Sequence, residues 1–296
     1  MADAAAVPRL PASGLRGWWR SPAMRRFRRH PGSWVGGGIV LVLVLVALFA
    51  PYLADRPPNA QNLRARLQPP SLEHPFGTDE FGRSVYSRVL HGTRVSLLTG
   101  LVPVLVALTI GSTIGLVAGY VRGRLDGVLM RVMDVLLALP GILLAIAIVA
   151  ALGPNIVNAM VAIAIVRIPT MARVVRSDVL AVKTEEFVEA AKALGQSHLI
   201  VLFKHILINA WAPALVLATL GMGTAIVAEA ALSFLGLGTQ PPQVSWGRML
   251  SVGREAIRSA PHVTLYPGLA ITIVVLGFSL LGDGLRDVFD RRLKDT

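Results

Sequence analysis

Five long stretches without a charged residue constrain this sequence more than any other feature. Each is long enough to cross a hydrocarbon core about 30 Å thick, and they occupy residues 31–54, 95–121, 135–166, 205–228 and 259–282. The chain is 54% hydrophobic and only 16% charged, whereas soluble domains average about 25% charged residues. The pattern therefore predicts an all-α protein that crosses a membrane several times.

The stretch 135–166 is longer than one span needs, and Gly153-Pro154-Asn155 interrupts it with a strong turn signal. Two helices are therefore expected there. The total becomes six membrane helices, at about 34–54, 95–120, 130–152, 156–177, 207–229 and 265–284. Pro103 and Pro140 fall inside the second and third spans, where each removes a backbone donor and is expected to kink the helix.

The first apolar stretch has a second interpretation, as the core of a cleaved secretory signal. Such cores are usually about 7–15 residues long, and the run from Trp34 to Leu53 is longer. The sequence Ala50-Pro51-Tyr52-Leu53-Ala54 is also a poor cleavage site. Retention as a membrane helix is the interpretation that the residues favour.

The basic residues predict the orientation of the spans. If the N-terminus is cytoplasmic, 20 of the 29 Lys and Arg residues lie on the cytoplasmic side and nine on the other, as the positive-inside rule requires. Both termini are then cytoplasmic. The net charge of +12 mostly reflects this division, so no nucleic-acid partner is expected.

These boundaries divide the chain into consecutive regions. A cytoplasmic basic tail, 1–33, precedes the first membrane helix, 34–54, and an external loop, 55–94, follows it. The core of five further helices occupies 95–290, and a short cytoplasmic tail occupies 291–296.

Residues 184–195, between the fourth and fifth spans, have the pattern of a short amphipathic helix. Thr184 is expected to cap it, acids in the first turns suit the helix dipole, and Gly195 suits a left-handed end. One face is apolar, with Phe187, Ala190, Ala191 and Leu194. Membrane-surface helices are usually basic on the polar face, whereas this one carries Glu185, Glu186 and Glu189. The pattern therefore favours docking into a groove on a partner protein.

The second span carries Gly111, Gly115 and Gly119 on one face. Glycines at this spacing allow two helix backbones to approach closely in lipid. The neighbour is either another helix of this chain or a second subunit, and the residues alone leave both open.

Ionisable residues within the spans are few and are expected near helix ends, in pairing or interface roles: Asp134, Arg167, Glu229 and Asp283. Without a buried acid–base relay, a self-sufficient proton-driven transporter lacks its usual machinery. None of the four lysines follows a glycine, which excludes a Walker A loop. The chain has no cysteine and its histidines are scattered, so no metal site is expected. We therefore expect a non-enzymatic chain that binds no cofactor.

Glu189-Ala190-Ala191, Gly195 and the pair Ile206-Leu207 resemble the EAA loop of bacterial ABC importer permeases. In that family the loop is the coupling helix that docks on the nucleotide-binding subunit. Ile208 stands where the family usually has proline, which is a departure at the start of the fifth span.

A second segment, Phe76 to Arg88, resembles the signature of C-type permeases of dipeptide, oligopeptide and nickel importers. It departs from that signature at Ser84, where aspartate is usual, and it matches at Gly77, Thr78, Asp79, Gly82 and Arg83. The segments 230–247 and 281–290 resemble the same group. All four motifs occur in the family's order.

The resemblance implies a type I ABC importer permease fold in a bacterial inner membrane. This chain would form half of a peptide pathway that works by alternating access, together with a second permease, two ATPase domains and an extracytoplasmic solute-binding protein. ATP and Mg would bind to the ATPase partners. The resemblance implies that the acids Glu185, Glu186 and Glu189 make polar contacts with the ATPase. Ala190 and Ala191 would allow the helix to pack closely against it, and Gly195 would form the turn that ends the helix.

Several alternatives stay open at this point. The same architecture could import nickel or another small solute, and the sequence indicates no substrate-binding residue. A stand-alone secondary transporter or channel, and a membrane enzyme or scaffold, are the hypotheses from other classes. The helical spacing from Trp246 to Ile257 fits either a structural lid or a contact with the solute-delivering protein or outer gate.

Overall fold

The computed structural model describes residues 31–289, and helices account for most of this range. The helices are α1 Pro31–Leu53, α2 Val85–Val121, α3 Gly123–Leu137, α4 Gly141–Leu152, α5 Ile156–Val182, α6 Glu186–Ala193, α7 His198–Phe234, α8 Trp246–Gly253 and α9 His262–Phe289. Within these described residues, β structure is limited to an isolated bridge between Thr78 and Ser84. Residues 1–30 of the predicted tail 1–33, and the whole of the predicted tail 291–296, lie outside this range.

Five helices are long and apolar enough to cross a membrane: α1, α2, α5, α7 and α9. The α3–α4 pair passes the same test when its two helices are taken together. The protein therefore has the predicted six spans when this pair counts as one. Helix α7 includes a π-helical turn, Val201–Leu207, near its start.

The third span differs from the single kinked helix expected at 130–152. Two helices meet at 88° around Pro140, which lacks the N–H that would continue the first helix. The first of them, α3, begins at Gly123, before the expected start of the span at about 130. The sharpness of the bend and the early start of α3 depend on packing against α5 and α2, which the hydropathy pattern does not report.

Helix α2 begins at Val85 rather than at 95, so the connection after α1 is shorter than the expected loop 55–94. Ser84 accepts a hydrogen bond from the Ser87 N–H and caps the helix. The first ten residues of α2 include buried Arg88, and this charge hides the start of the helix from a hydropathy scan. Pro103 lies inside this continuous helix.

The glycines of α2 pack against α5 of the same chain. A Cβ added at Gly115 would lie 2.4 Å from the Ala172 carbonyl oxygen, and one at Gly111 would lie 2.7 Å from the Cβ of Met171. One at Gly119 would lie 2.8 Å from Val179. Of the two neighbours that the sequence left open, the structure therefore shows the intramolecular one.

The connections between helices gather at two ends of the bundle. Residues 54–84 and 235–261 form the motif end, which contains the Gly77–Arg83 signature and helix α8. Residues 183–207 form the coupling end, which contains α6 and the π turn of α7. Trp246 of α8 is buried and donates its indole N–H to the Val89 carbonyl at 3.0 Å, so α8 covers α2 as a structural lid.

Candidate functional site

Helix α6 begins and ends close to the predicted positions, but its caps differ. Glu185 occupies the N-cap position, and the Thr184 hydroxyl instead donates to the Ala181 carbonyl at 2.8 Å. The expectation of a Thr184 cap is therefore wrong, because α5 continues nearly to Thr184 and captures its hydroxyl. Gly195 has φ +78° and ends the helix in the left-handed region, as predicted.

Two faces of α6 have different surroundings. Val188 and Ala191 are buried, at 0% and 4% exposure, and anchor the helix against the π turn. Leu194 is 81% exposed and Phe187 is 40% exposed, and Ala190 lies on the same surface. The predicted apolar stripe is thus divided: Ala191 packs inside this chain, and the other three residues face outward.

The acids assigned to partner contact also lie on the outer surface of α6. Glu185, Glu186 and Glu189 are all exposed. They border the exposed apolar residues Phe187 and Leu194, so this face of α6 combines an apolar centre with negative charge.

Polar contacts that the sequence did not reveal join the coupling end to Tyr120 at the end of α2. The Tyr120 hydroxyl at the end of α2 lies 2.7 Å from Nδ1 of His198. Lys183 donates from Nζ to the Tyr120 carbonyl at 2.5 Å. Burial lowers the pKa of Lys183, and nearby Lys192 and Arg122 lower it further. Lys183 and His198, which lie on either side of α6 in the sequence, therefore connect the coupling end to α2.

The Gly77–Arg83 signature folds as a tight turn around a buried carboxylate. Asp79 Oδ1 accepts the backbone N–H groups of Phe81 and Arg83 at 2.9 and 3.0 Å. Arg83 Nε donates to Asp79 Oδ2 at 2.7 Å. Arg88 adds a second cation 3.6 Å from the same oxygen.

The two glycines of the signature are required by close approach and by backbone conformation. Gly77 has φ +73° and Gly82 has φ +68°. A Cβ at Gly82 would lie 1.8 Å from the Asn62 carbonyl oxygen, and one at Gly77 would lie 2.5 Å from that of Gln68. Thr78 is fully buried, and its hydroxyl donates to the Ala65 carbonyl.

At Ser84, where the family usually has aspartate, a carboxylate is supplied by Asp55 at the start of the connection between α1 and α2. The Ser84 hydroxyl donates to Asp55 Oδ1 at 3.0 Å, and the Ser87 hydroxyl donates to the same oxygen. An aspartate at 84 would place a second negative charge against Asp55. In this chain the carboxylate of the pair is therefore that of Asp55, and residue 84 supplies the hydroxyl that donates to it.

A second buried carboxylate, Glu229, holds the segment that follows α7. It is 0% exposed, and Oε1 accepts from the hydroxyls of Ser233, Thr239 and Ser245 at 2.6, 2.9 and 3.2 Å. Sequence reasoning placed Glu229 near a helix end with a pairing role, but the three hydroxyl partners lie up to sixteen residues away.

Two comparisons establish the family. Residues 111–295 match the family described as binding-protein-dependent transport system inner membrane component, and residues 18–70 match the N-terminal TM domain of oligopeptide transport permease C. The chain belongs to this permease family. Its fold is accordingly that of an ABC importer permease, and the protein is a multi-pass membrane protein.

Relatives in the family are similar along nearly the whole chain. The dipeptide transport system permease protein DppC of Alkalihalophilus pseudofirmus is 49% identical over 276 residues, which cover 93% of this chain and 90% of the relative. The glutathione transport system permease protein GsiD of Salmonella typhimurium is 49% identical over 292 residues, covering 98% and 95%. This permease is thus similar to transport subunits over more than nine-tenths of its length.

Proposed function

We propose that this permease forms half of the membrane pathway of an ATP-driven peptide importer, with α6 as the element that receives the force of ATP hydrolysis. The observation that carries the proposal is the outer face of α6. Leu194 and Phe187 are exposed beside Glu186 and Glu189, while Val188 and Ala191 fix the helix to the rest of the chain. Such a face suits a groove on a partner protein.

The partners follow from this assignment and from the family. Two ATPase domains contact the coupling end and hold ATP and Mg, so this chain hydrolyses no ATP itself. A second permease, different in sequence, completes the pathway in a bacterial inner membrane. The motif end faces the outside, where a cleft of about 410 Å³ lined by Arg83, Arg88 and Arg248 offers a contact surface for the solute-binding protein.

The mechanism is alternating access. ATP favours the closed pair of ATPase domains, and this differential affinity is what shifts the permease between its two states. Movement of α6 passes to α2 through the contact between Tyr120 and His198 and to α7 through the π turn. Both termini lie on the cytoplasmic side, with the coupling end.

Peptides are the proposed solute because the similar transport proteins carry dipeptide and glutathione transport in their names. Nickel is the less supported alternative. Reconstitution with the second permease, the ATPase subunits and the binding protein tests both, since peptide and nickel uptake into vesicles can be measured on the same preparation. A preparation that takes up nickel and no peptide would contradict the proposed solute.

Docking through α6 is tested by the substitution Leu194→Asp. An interface anchor contributes about 2 kcal/mol or more, so we expect peptide uptake to fall at least about tenfold. The matched control is Leu72→Asp, because Leu72 is a fully exposed leucine of the motif end. Equal uptake by the two variants would show that Leu194 does not contact the ATPase.

A further inference from the structure

Arg167 lies at an unusual depth for a cation. It is the twelfth residue of α5, which at a rise of 1.5 Å per residue places it about 17 Å from the first residue of the helix. Arg167 was expected near a helix end, although the predicted span 156–177 already includes it as the twelfth residue, and the structure shows it well inside α5, Ile156–Val182. Cations at such depth are costly and mark substrate pathways.

The three arginines of α5 differ in their partners. Arg173 contacts Asp134 at 2.5 Å, and Arg176 contacts Asp126 through both Nε and Nη2 at 2.6 Å. Arg167 forms no ion pair with any residue between 31 and 289, and its Nη2 donates a hydrogen bond to the Thr224 hydroxyl. A guanidinium has five N–H donors, so most of its donors remain available to a ligand.

Arg167 also lines two neighbouring cavities. One, of about 180 Å³, lies between α2, α5 and α7 and includes Val104 and Leu217. The other, of about 220 Å³, lies between α4, α5 and α7 and includes Gly141, Ala145 and Ala228. At about 30 Å³ per water molecule, each has room for roughly six or seven waters. The residues that line the two cavities beside Arg167 are mostly small or aliphatic, so the cavities leave space for solute side chains of varied shape.

We propose that Arg167 binds the terminal carboxylate of the peptide as it passes through the membrane. The guanidinium fork matches a carboxylate in two parallel hydrogen bonds. Every linear peptide carries this group whatever its side chains are, so the contact selects the class of solute and not its sequence. The inference rests on the proposed function, since it concerns the solute of the same pathway.

A carboxylate on the second permease could offer the same chemistry, and the experiment separates the two sources. The reconstituted complex is given alanyl-alanine or its C-terminal amide, each at a concentration that saturates the binding protein. Initial uptake is measured for the wild type, Arg167→Gln and Arg167→Lys. Any preference of the binding protein itself is common to all variants and cancels when their acid-to-amide ratios are compared.

For Arg167→Gln we expect free-acid uptake to fall about tenfold or more, because a hydrogen-bonded charge pair contributes about 1.5–3 kcal/mol. Amide uptake should change less than about twofold on the same scale, so the acid-to-amide ratio collapses. Arg167→Lys retains the charge without the fork and should recover part of the free-acid uptake. Arg173→Gln, on the same helix, is the matched control and should leave the ratio unchanged.

Three results would overturn the assignment. An unchanged ratio in Arg167→Gln, or equal free-acid uptake by the Gln and Lys variants, removes the peptide carboxylate as the ligand. Loss of the second permease from the purified Arg167→Gln complex, with both substrates lowered equally, assigns the carboxylate to that subunit. Absence of peptide uptake by the wild type would instead overturn the proposed function, and the inference with it.

Discussion

The motif end and the coupling end treat their charged and apolar groups in opposite ways. At the motif end, Asp79 is buried with Arg83 and Arg88 around it, and Glu229 is buried with three hydroxyls. At the coupling end, Glu186 and Glu189 are exposed and Leu194 projects outward. The two carboxylates of the motif end are therefore paired within the chain, whereas Glu186 and Glu189 of the coupling end are exposed beside an apolar side chain.

This contrast predicts that substitutions at the motif end act on folding and that substitutions at the coupling end act on transport. The two effects can be separated by measuring the stability of the detergent-solubilised permease alongside uptake by the reconstituted complex. The following three substitutions are ordered by the expected change in the free energy of unfolding.

Asp79→Ala is expected to have the largest effect on stability. It leaves Arg88, which is 4% exposed, without its carboxylate, and two backbone N–H groups without an acceptor. Removing one partner of a buried pair costs about 3–5 kcal/mol, measured as a lower midpoint of thermal unfolding. Glu80→Ala is the control on the neighbouring carboxylate, and similar midpoints for both variants would contradict a structural role for Asp79.

Ser84→Asp should be destabilising by about 1–3 kcal/mol, since the hydroxyl that donates to Asp55 becomes an acceptor that repels it. The double variant Asp55→Asn with Ser84→Asp should regain most of this loss, because it removes one of the two negative charges and supplies an amide that can donate to the remaining carboxylate. Unfolding midpoints of the two single variants and the double variant form the test. Failure of Asp55→Asn to rescue would show that the pair at 55 and 84 does not set the identity of residue 84.

Gly195→Pro should change stability least, by about 1 kcal/mol, and should abolish transport. Proline fixes φ near −65°, whereas this position has φ +78°, so the end of α6 must rearrange. The region is exposed and a Cβ there meets no atom within 4 Å, which keeps the cost local. Normal peptide uptake by this variant would contradict the coupling role, and a loss of stability as large as that of Asp79→Ala would contradict the contrast between the ends.

The sequence predicted those features that depend on neighbouring residues. Six apolar spans, the break at Pro140 and the left-handed end at Gly195 all follow from local composition and from backbone restrictions.

The features that the sequence missed depend on contacts between distant segments. Whether Ala191 or Phe187 faces outward is decided by the π turn against which α6 packs. The start of α2 at Val85 was missed because Arg88 is a charged residue inside the helix. It is buried against the connection between α1 and α2, where the Asn59 side chain accepts a hydrogen bond from its Nη1. Arg167 was assigned to a helix end because its charge ends the uncharged stretch 135–166, although α5 continues past it to Val182.

The glycine contacts between α2 and α5 have a consequence for how such a permease can move. Because a Cβ at Gly115 would lie against the Ala172 carbonyl, the two backbones are close together, and we expect α2 and α5 to move as a unit. We expect the rearrangement during transport to be concentrated at hinges elsewhere, at the 88° corner between α3 and α4 and at the π turn Val201–Leu207. The third and fifth spans would then bend while α2 and α5 keep their contact.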